Sequence, residues 1–252
     1  MAPPLVTHIS LSDGFGSQFQ HIISVLLICY RNGYQFVYNP IKKIEHNYSN
    51  DPNFIEKMED LMNIKPYFKS RFDESLENEA ITECDMTAKY VIDSDINFYA
   101  CPTILKNIQK MFWANKDRGN VFTNGDTNVA VHIRRMNQVD VTLPYVEPER
   151  VNTSDDFYLR AIQRVRDSYP EKDLVFHIYS QGNMESFNCY KAKDTILHID
   201  EDISKTFVEM VAADILITSF SSFSYSAALL NDGTIFYHPF WHPPRSDWHV
   251  LR

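Results

Sequence analysis

The sequence is short of cysteine pairs, of basic residues and of long apolar runs, and each shortage excludes a class of protein. Its four cysteines, Cys29, Cys84, Cys101 and Cys189, stand far apart with no Cys-x-x-Cys among them. Neither a zinc knuckle nor a thiol redox motif is spelled, and free thiols in a reducing compartment are expected. The 24 lysines and arginines are outnumbered by 33 aspartates and glutamates, which gives a net charge of −9. Nucleic acid and anionic membranes reward a basic face, so neither is an expected partner, while a local basic pocket stays open. The longest apolar run, from Ile22 to Cys29, stops at Tyr30 and Arg31, well short of the ~20 residues that span a bilayer. It reads as a buried helix. The opening residues carry no basic stretch followed by an apolar one, so no secretory leader is expected. A cytoplasmic location follows as the expectation, with the sequons at Asn47 and Asn152 idle.

What is present suits a globular chain. A length of 252 residues at 44% hydrophobic and 13% aromatic content can fill one large domain or two halves. No internal repeat or low-complexity tract occurs, but the pattern changes character near residue 125, and we expect halves at 1–125 and 126–252. In the first, a β-rich run (5–10), a glycine-bearing turn (11–18), a helix (21–31) and a strand (34–38) form a β-loop-α-β unit. Residues 47–100 are acidic and weakly periodic, with 53–62 as an amphipathic helix, before Pro102 and Thr103 start a better helix over 103–114. The second half alternates cleanly. Strands are expected at 129–133, 174–179, 195–199, 214–218 and 234–237, with helices at 155–168 behind a Ser154 cap, at 204–213 and at 222–230. Strands alternating with crossover helices make a parallel sheet, and strands apolar along most of their length are those covered on both faces. Ligands of such sheets sit beyond the carboxyl ends of the strands.

Four groups of residues lie at such ends. The apolar strand Val131-His132-Ile133 runs into Arg134 and Arg135. A guanidinium is planar, always charged and able to hold two phosphate oxygens at once, so this pair can clamp a diphosphate. The plainer reading is a solvated pair, or one engaged with Asp140 and Glu147. Next, Thr218-Ser219-Phe220-Ser221-Ser222-Phe223 is a strand exit followed by a hydroxyl-rich helix start. Unpaired N–H groups and the positive helix end attract anions there, though simple capping would use the same serines. Third, Asp13-Gly14-Phe15-Gly16-Ser17-Gln18 can bring backbone close to a ligand or serve as an ordinary turn. It matches neither the P-loop nor the three-glycine dinucleotide fingerprint. Last, His238, His242 and His249 stand among prolines without a carboxylate or cysteine at ligand spacing. An aromatic wall or structural tail is the expectation, and no metal site.

Together these residues resemble the fucosyltransferase superfamily, the α1,2-, α1,6- and protein O-fucosyltransferases. Its members open with Gly-x-Gly-Asn-Gln before a buried helix, carry a strand ending His-x-Arg-Arg-x-Asp, and later show Ala-Asp, an apolar strand and a Ser-Ser-Phe-Ser-like helix start. Here those are residues 14–18, 132–137 and 213–224. The resemblance implies an α/β, GT-B-like fold of two Rossmann-like halves with parallel sheets facing a donor cleft, residues 1–125 on the acceptor side and 126–252 on the donor side. It implies an inverting, metal-independent glycosyltransferase without a cofactor, moving a sugar from a GDP- or UDP-linked donor to a hydroxyl of an oligosaccharide or glycoconjugate. Arg134 would bind the β-phosphate, with His132 and Arg135 in support. Ser219, Ser221, Ser222 and Phe223 would complete the cradle, and Gly14, Gly16 and Ser17 would close on the donor. Asp13 and Asp140 are the candidate bases, and Glu147 trails them.

Three positions depart from the family pattern. Ser17 replaces its Asn, Asn137 replaces the Asp closing the arginine motif, and Thr206 stands where an Asp receives the guanine N–H groups. A hydroxyl cannot pair with both guanine donors as a carboxylate does. A UDP-sugar such as UDP-xylose is therefore a rival donor, unless Asp200 or Asp202 substitutes for the missing carboxylate. The small size is also similar to glycosyltransferases of large algal viruses, which would place the protein in a host cytoplasm. Two rivals from other classes are a catalytically silent nucleotide- or glycan-binding module, and a sulfotransferase or kinase, which the missing P-loop disfavours.

Overall fold

The computed structural model describes residues 2–136 and 152–252. The chain divides into two compact units, Met1–Asp117 and Arg118–Arg252, a division that falls ahead of the change of pattern near residue 125.

In the first unit β1 (Leu5–His8) is the middle of a three-stranded parallel sheet, between β2 (Gln35–Val37) and β3 (Ile81–Cys84). The apolar run that follows β1 folds as α1 (Phe15–Asn32), with Phe19, Ile23, Val25 and Leu26 fully buried. Each such side chain taken out of water contributes about 1.5–3 kcal/mol. The expected turn over 11–18 is shorter than anticipated, because the Gln18 N–H already donates to the Gly14 carbonyl at 3.1 Å and closes the first turn of α1. Gly33 ends the helix at φ 69°, a left-handed conformation that costs little without a Cβ. Beyond α2 (Phe54–Met62), the acidic stretch holds β3, α3 (Thr87–Ser94) and α4 (Ile96–Tyr99) before α5 (Pro102–Trp113), which has Pro102 in its first turn. All four cysteines of the chain are unpaired.

In the second unit the strands are β4 (Thr127–His132), β5 (Leu174–Ser180), β6 (Thr195–Ile199), β7 (Ile215–Ile217), β8 (Thr234–Tyr237) and β9 (His249–Val250). The helices are α6 (Asp155–Ser168), α7 (Ile203–Ala212) and α8 (Ser222–Leu230). The sheet runs β6-β5-β4-β7-β8-β9 with every pair parallel. Counted within the unit this is the doubly wound order 3-2-1-4-5-6, whose strand direction of travel reverses between the first and fourth strands. Here that reversal lies between β4 and β7. Val129, Val131, Phe176, Ile178 and Ile217 pack with Tyr158 and Val165 of α6 in the core. Gly233, ahead of β8, is fixed by its neighbour: a Cβ there would stand 2.2 Å from the Asp214 carbonyl, the acceptor of the Thr234 N–H at 2.9 Å. Two expectations change in detail. Ser154 takes the N-cap position of α6 without a side-chain cap bond, and β9 is a strand where only a tail was foreseen. That tail is held by Tyr225 Oη donating to the Pro243 carbonyl at 2.9 Å and by the Leu251 N–H donating to the Tyr237 carbonyl at 2.9 Å.

Candidate functional site

The reversal between β4 and β7 leaves a gap at the carboxyl edge of the larger sheet, where neighbouring connections turn away to opposite sides. His132 closes β4 on one side of it, and Thr218 and Ser219 follow β7 on the other. A hydrogen bond of 2.7 Å between His132 Nδ1 and Ser219 Oγ spans the gap. Ser219 is held in turn by Ser224, whose Oγ accepts from the Ser219 N–H at 3.1 Å. The His132 ring packs on Phe223 with centroids 5.4 Å apart. Burial, helped by the Arg134 charge, pulls the His132 pKa down to about 3, so the ring is neutral across the physiological range. Where Ser219 donates to Nδ1, the ring proton sits on Nε2.

The helix that starts beyond Ser219 has the polarity an anion needs. Ser221 is the N-cap of α8 and accepts from the Phe223 N–H at 3.2 Å. No acidic residue occupies the first turn of α8, whereas α6 carries Asp155 and Asp156 in its own. The positive end of α8 is therefore uncompensated by a carboxylate of its own, and Ser222 and Phe223 are partly exposed there.

The two adjacent arginines are placed differently. Arg134 is partly exposed and donates from Nη1 to the Arg135 carbonyl at 2.7 Å. Arg135 turns to α6, donating to the Thr153 carbonyl at 2.9 Å and pairing with the Asp155 carboxylate, which also accepts from Tyr190 Oη at 2.6 Å. Its guanidinium lies 5.6 Å from the Phe187 ring centroid. Arg135 thus ties the β4 exit to α6 and to Tyr190. Asn137, Asp140 and Glu147 lie outside the described residues.

In the first unit the glycine loop is engaged by its own surroundings. Asp13 Oδ1 accepts from the Gly14 N–H at 2.7 Å, and Gln18 Nε2 donates to the Asp13 carbonyl at 2.9 Å and the Lys43 carbonyl at 2.7 Å. A Cβ on Gly14 would meet His46 Cδ2 at 3.1 Å, while Gly16 lies buried in the first turn of α1. Ser17 Oγ accepts from Lys89 Nζ at 2.7 Å. Lys89 is 4% exposed, and burial lowers its pKa to about 8 against the opposing pull of Asp13 and Asp93. No sequence signal marked it, since a lysine on a weakly periodic helix ordinarily faces water.

Two other groups of residues complete the picture. His238 donates its N–H to Thr218 Oγ1 at 2.8 Å and bonds Thr153 Oγ1 through Nε2 at 2.9 Å. With Phe157, Arg160 and Phe220, Thr153 and His238 line an open depression of about 550 Å³. Burial lowers the His238 pKa. The carboxylates considered as guanine readers are committed to backbone: Asp202 caps α7 by accepting from Ser204 and Lys205, and Asp200 accepts from the Gly182 N–H at 3.0 Å. Thr206 lies partly buried on α7.

No family model and no curated protein matches the sequence. Solved structures share its fold. The protein POFUT1 in complex with GDP aligns at a TM-score of 0.50 and 12% identity, covering 92% of this chain and 95% of that one. A point mutant of Arabidopsis thaliana FUT1 in complex with GDP aligns at 0.49 and 9% identity, over 98% of this chain and 72% of that one. The fucosyltransferase NodZ from Bradyrhizobium aligns at 0.43 and 11% identity, over 97% and 98%. At such identities the likeness is one of fold, and on the POFUT1 alignment the α/β, GT-B-like class expected from the sequence stands.

Proposed function

We propose that the chain is a glycosyltransferase that takes a sugar from a nucleoside-diphosphate donor, GDP-linked, and transfers it to a hydroxyl of an oligosaccharide or glycoconjugate. The observation that carries this reading is the His132–Ser219 bond across the β4/β7 gap, flanked by Arg134 on one side and the α8 N-terminus on the other. Loss of a nucleoside diphosphate builds negative charge on its terminal phosphate. Arg134, the His132 Nε2–H and the first N–H groups of α8 are fixed donors for that charge, which reorganise little as it develops. Fixed donors of this kind do the work of a cation, so the transfer is metal-independent. The reaction inverts the anomeric centre, with Asp13 or Asp140 removing the proton of the acceptor hydroxyl.

Thermal melting in the presence of GDP, UDP, GDP-fucose and UDP-xylose tests the reading, since a ligand at 100 times its Kd adds about 2.7 kcal/mol of stability. GDP and GDP-fucose are expected to raise the melting temperature, and Arg134→Ala to remove most of that rise. A shift with UDP alone makes the donor a UDP-sugar. No shift with any nucleotide overturns the phosphate assignment, and binding without product marks a silent binding module.

A further inference from the structure

The open depression of about 550 Å³ lies between the start of α6 and the residues that follow β7 and β8, and its volume falls within the ~300–1,000 Å³ of small-ligand sites. Its unused polar groups are donors. Arg160 brings a guanidinium that has no hydrogen-bond or ion-pair partner among the described residues. Asn152 Oδ1 already accepts from the Met136 N–H at 2.8 Å, and its Nδ2 has no partner among the described residues. Ser154 stands at the N-cap of α6 with its hydroxyl outside any cap bond. No carboxylate lines the depression among the described residues, and Asp155 of the same turn is taken up by Arg135 and Tyr190. In a chain where acids outnumber bases 33 to 24, a guanidinium left without a carboxylate can take one from a ligand.

The other walls are rings. Phe157 packs on His238 with centroids 4.5 Å apart, and Phe220 stands edge-on to it at 6.2 Å. Both nitrogens of His238 are bonded, Nδ1 to the Pro239 carbonyl at 2.8 Å and Nε2 to Thr153 Oγ1 at 2.9 Å. Burial lowers its pKa, so the ring adds no charge to this wall at pH 7. Phe220 carries the aromatic surface on to Trp241, whose ring lies 5.0 Å from its own and 5.1 Å from Phe240. Trp241 is 64% exposed, so this indole fills no core and is held open to water by its two neighbours.

Flat apolar rings beside unpaired donors and a lone cation suit a pyranose that carries a carboxylate. The C–H face of such a sugar packs on aromatic rings, and the planar fork of a guanidinium takes both oxygens of a carboxylate. Asn152 and Ser154 are left for the sugar hydroxyls. We propose that the depression, with Trp241 at its rim, binds a uronic acid residue of a glycan. Given the transferase reading above, on which this step rests, that glycan is the acceptor. Phe220 lies between Ser219, which bonds His132, and Ser221, the N-cap of α8, so the depression borders the edge assigned to the donor diphosphate.

The test is titration of the nucleotide-free full chain with methyl β-glucuronide and with methyl β-glucoside, read by saturation-transfer NMR of the sugar protons. The glucuronide should bind at least about tenfold more tightly, the worth of one charge-assisted pair. Arg160→Gln should remove most of that advantage while leaving the weaker glucoside binding and the melting temperature unchanged. Trp241→Ala should weaken both sugars, with its folding checked by circular dichroism. Saturating GDP should leave the glucuronide bound, since the two sites adjoin without overlapping. Displacement by GDP would put the depression inside the donor site and overturn the proposal. Equal affinity for the two sugars would overturn it too, as would glucuronide binding that Arg160→Gln leaves intact. Complete competition by sulfate would do the same, by showing an anion site that reads no sugar. Absence of sugar binding alongside a rise in melting temperature with GDP defeats this site alone. Sugar binding without any nucleotide effect instead defeats the donor reading, and with it the assignment of the glycan as acceptor.

Discussion

In the larger sheet the polar groups beyond the central strand bond one another across the gap between β4 and β7, whereas in the smaller sheet those beyond β1 are drawn into the loop that carries them. His132 and Ser219 come from opposite sides of a topological reversal. Asp13, Gln18 and Ser17 instead bind the glycine loop, the Lys43 carbonyl and Lys89. The same contrast divides two consecutive residues: Arg134 stays at the edge, and Arg135 is built into α6. A glycine or an arginine at a strand exit therefore marks a place where a ligand can approach, and its neighbours decide whether it serves the ligand or the fold.

The sharpest way to break this comparison is to exchange the roles of the arginines. Arg134→Ala should lower the transfer rate about 10²- to 10³-fold, the usual consequence of deleting one fixed donor to a developing charge, and leave the melting temperature nearly unchanged. Arg135→Ala should do the reverse, costing about 1–2 kcal/mol in urea denaturation through the bonds lost to Thr153 and Asp155. If both variants lose turnover and neither loses stability, the two arginines act as one clamp and the distinction falls.

Acid weakens both units alike. His8 and His21 in the first are held at about 4 and about 3, and His132 and His177 in the second at about 3 and about 4, all chiefly by burial. Each native ring resists a proton that the unfolded chain accepts near pH 6.5. Stability is therefore complete above that value and falls as pH drops towards 4, by up to about 1.4 kcal/mol per group and pH unit. Denaturant midpoints between pH 7 and 4.5 read this directly, and substituting His21 with a neutral ring should flatten the slope. The smallest effect concerns the glycine loop. Gly14→Ala should cost about 1 kcal/mol by crowding His46, and His46→Ala should restore it. A loss of donor affinity without a loss of stability would show instead that Gly14 serves the ligand.

Legibility in the sequence followed burial. The bounds of α6, α8 and β8 match their sequence patterns because each buries a run or stripe of side chains, and those of β6 match although only His198 in it is buried. In the first unit β3 is half exposed, its four residues following no inward-outward alternation, and α3 buries only Ala88, Lys89 and Ile92. No periodic signal survives such sparse burial, so residues 81–99 stayed unplaced. Of the candidate site, the polar residues at strand exits were readable as motifs, since a strand exit is local. Lys89 was not, and neither were Thr153 and Arg160. Their meaning arises only when distant segments meet, and no spacing along the chain records it.

The bond between His132 and Ser219 joins positions 87 apart in the chain, and this separation bears on when the edge can form. β4 lies nearer along the chain to β5 than to its other neighbour β7, which follows β6 and α7. The edge needs both sides of the sheet, so a chain with only β4, β5 and β6 paired would have no such edge.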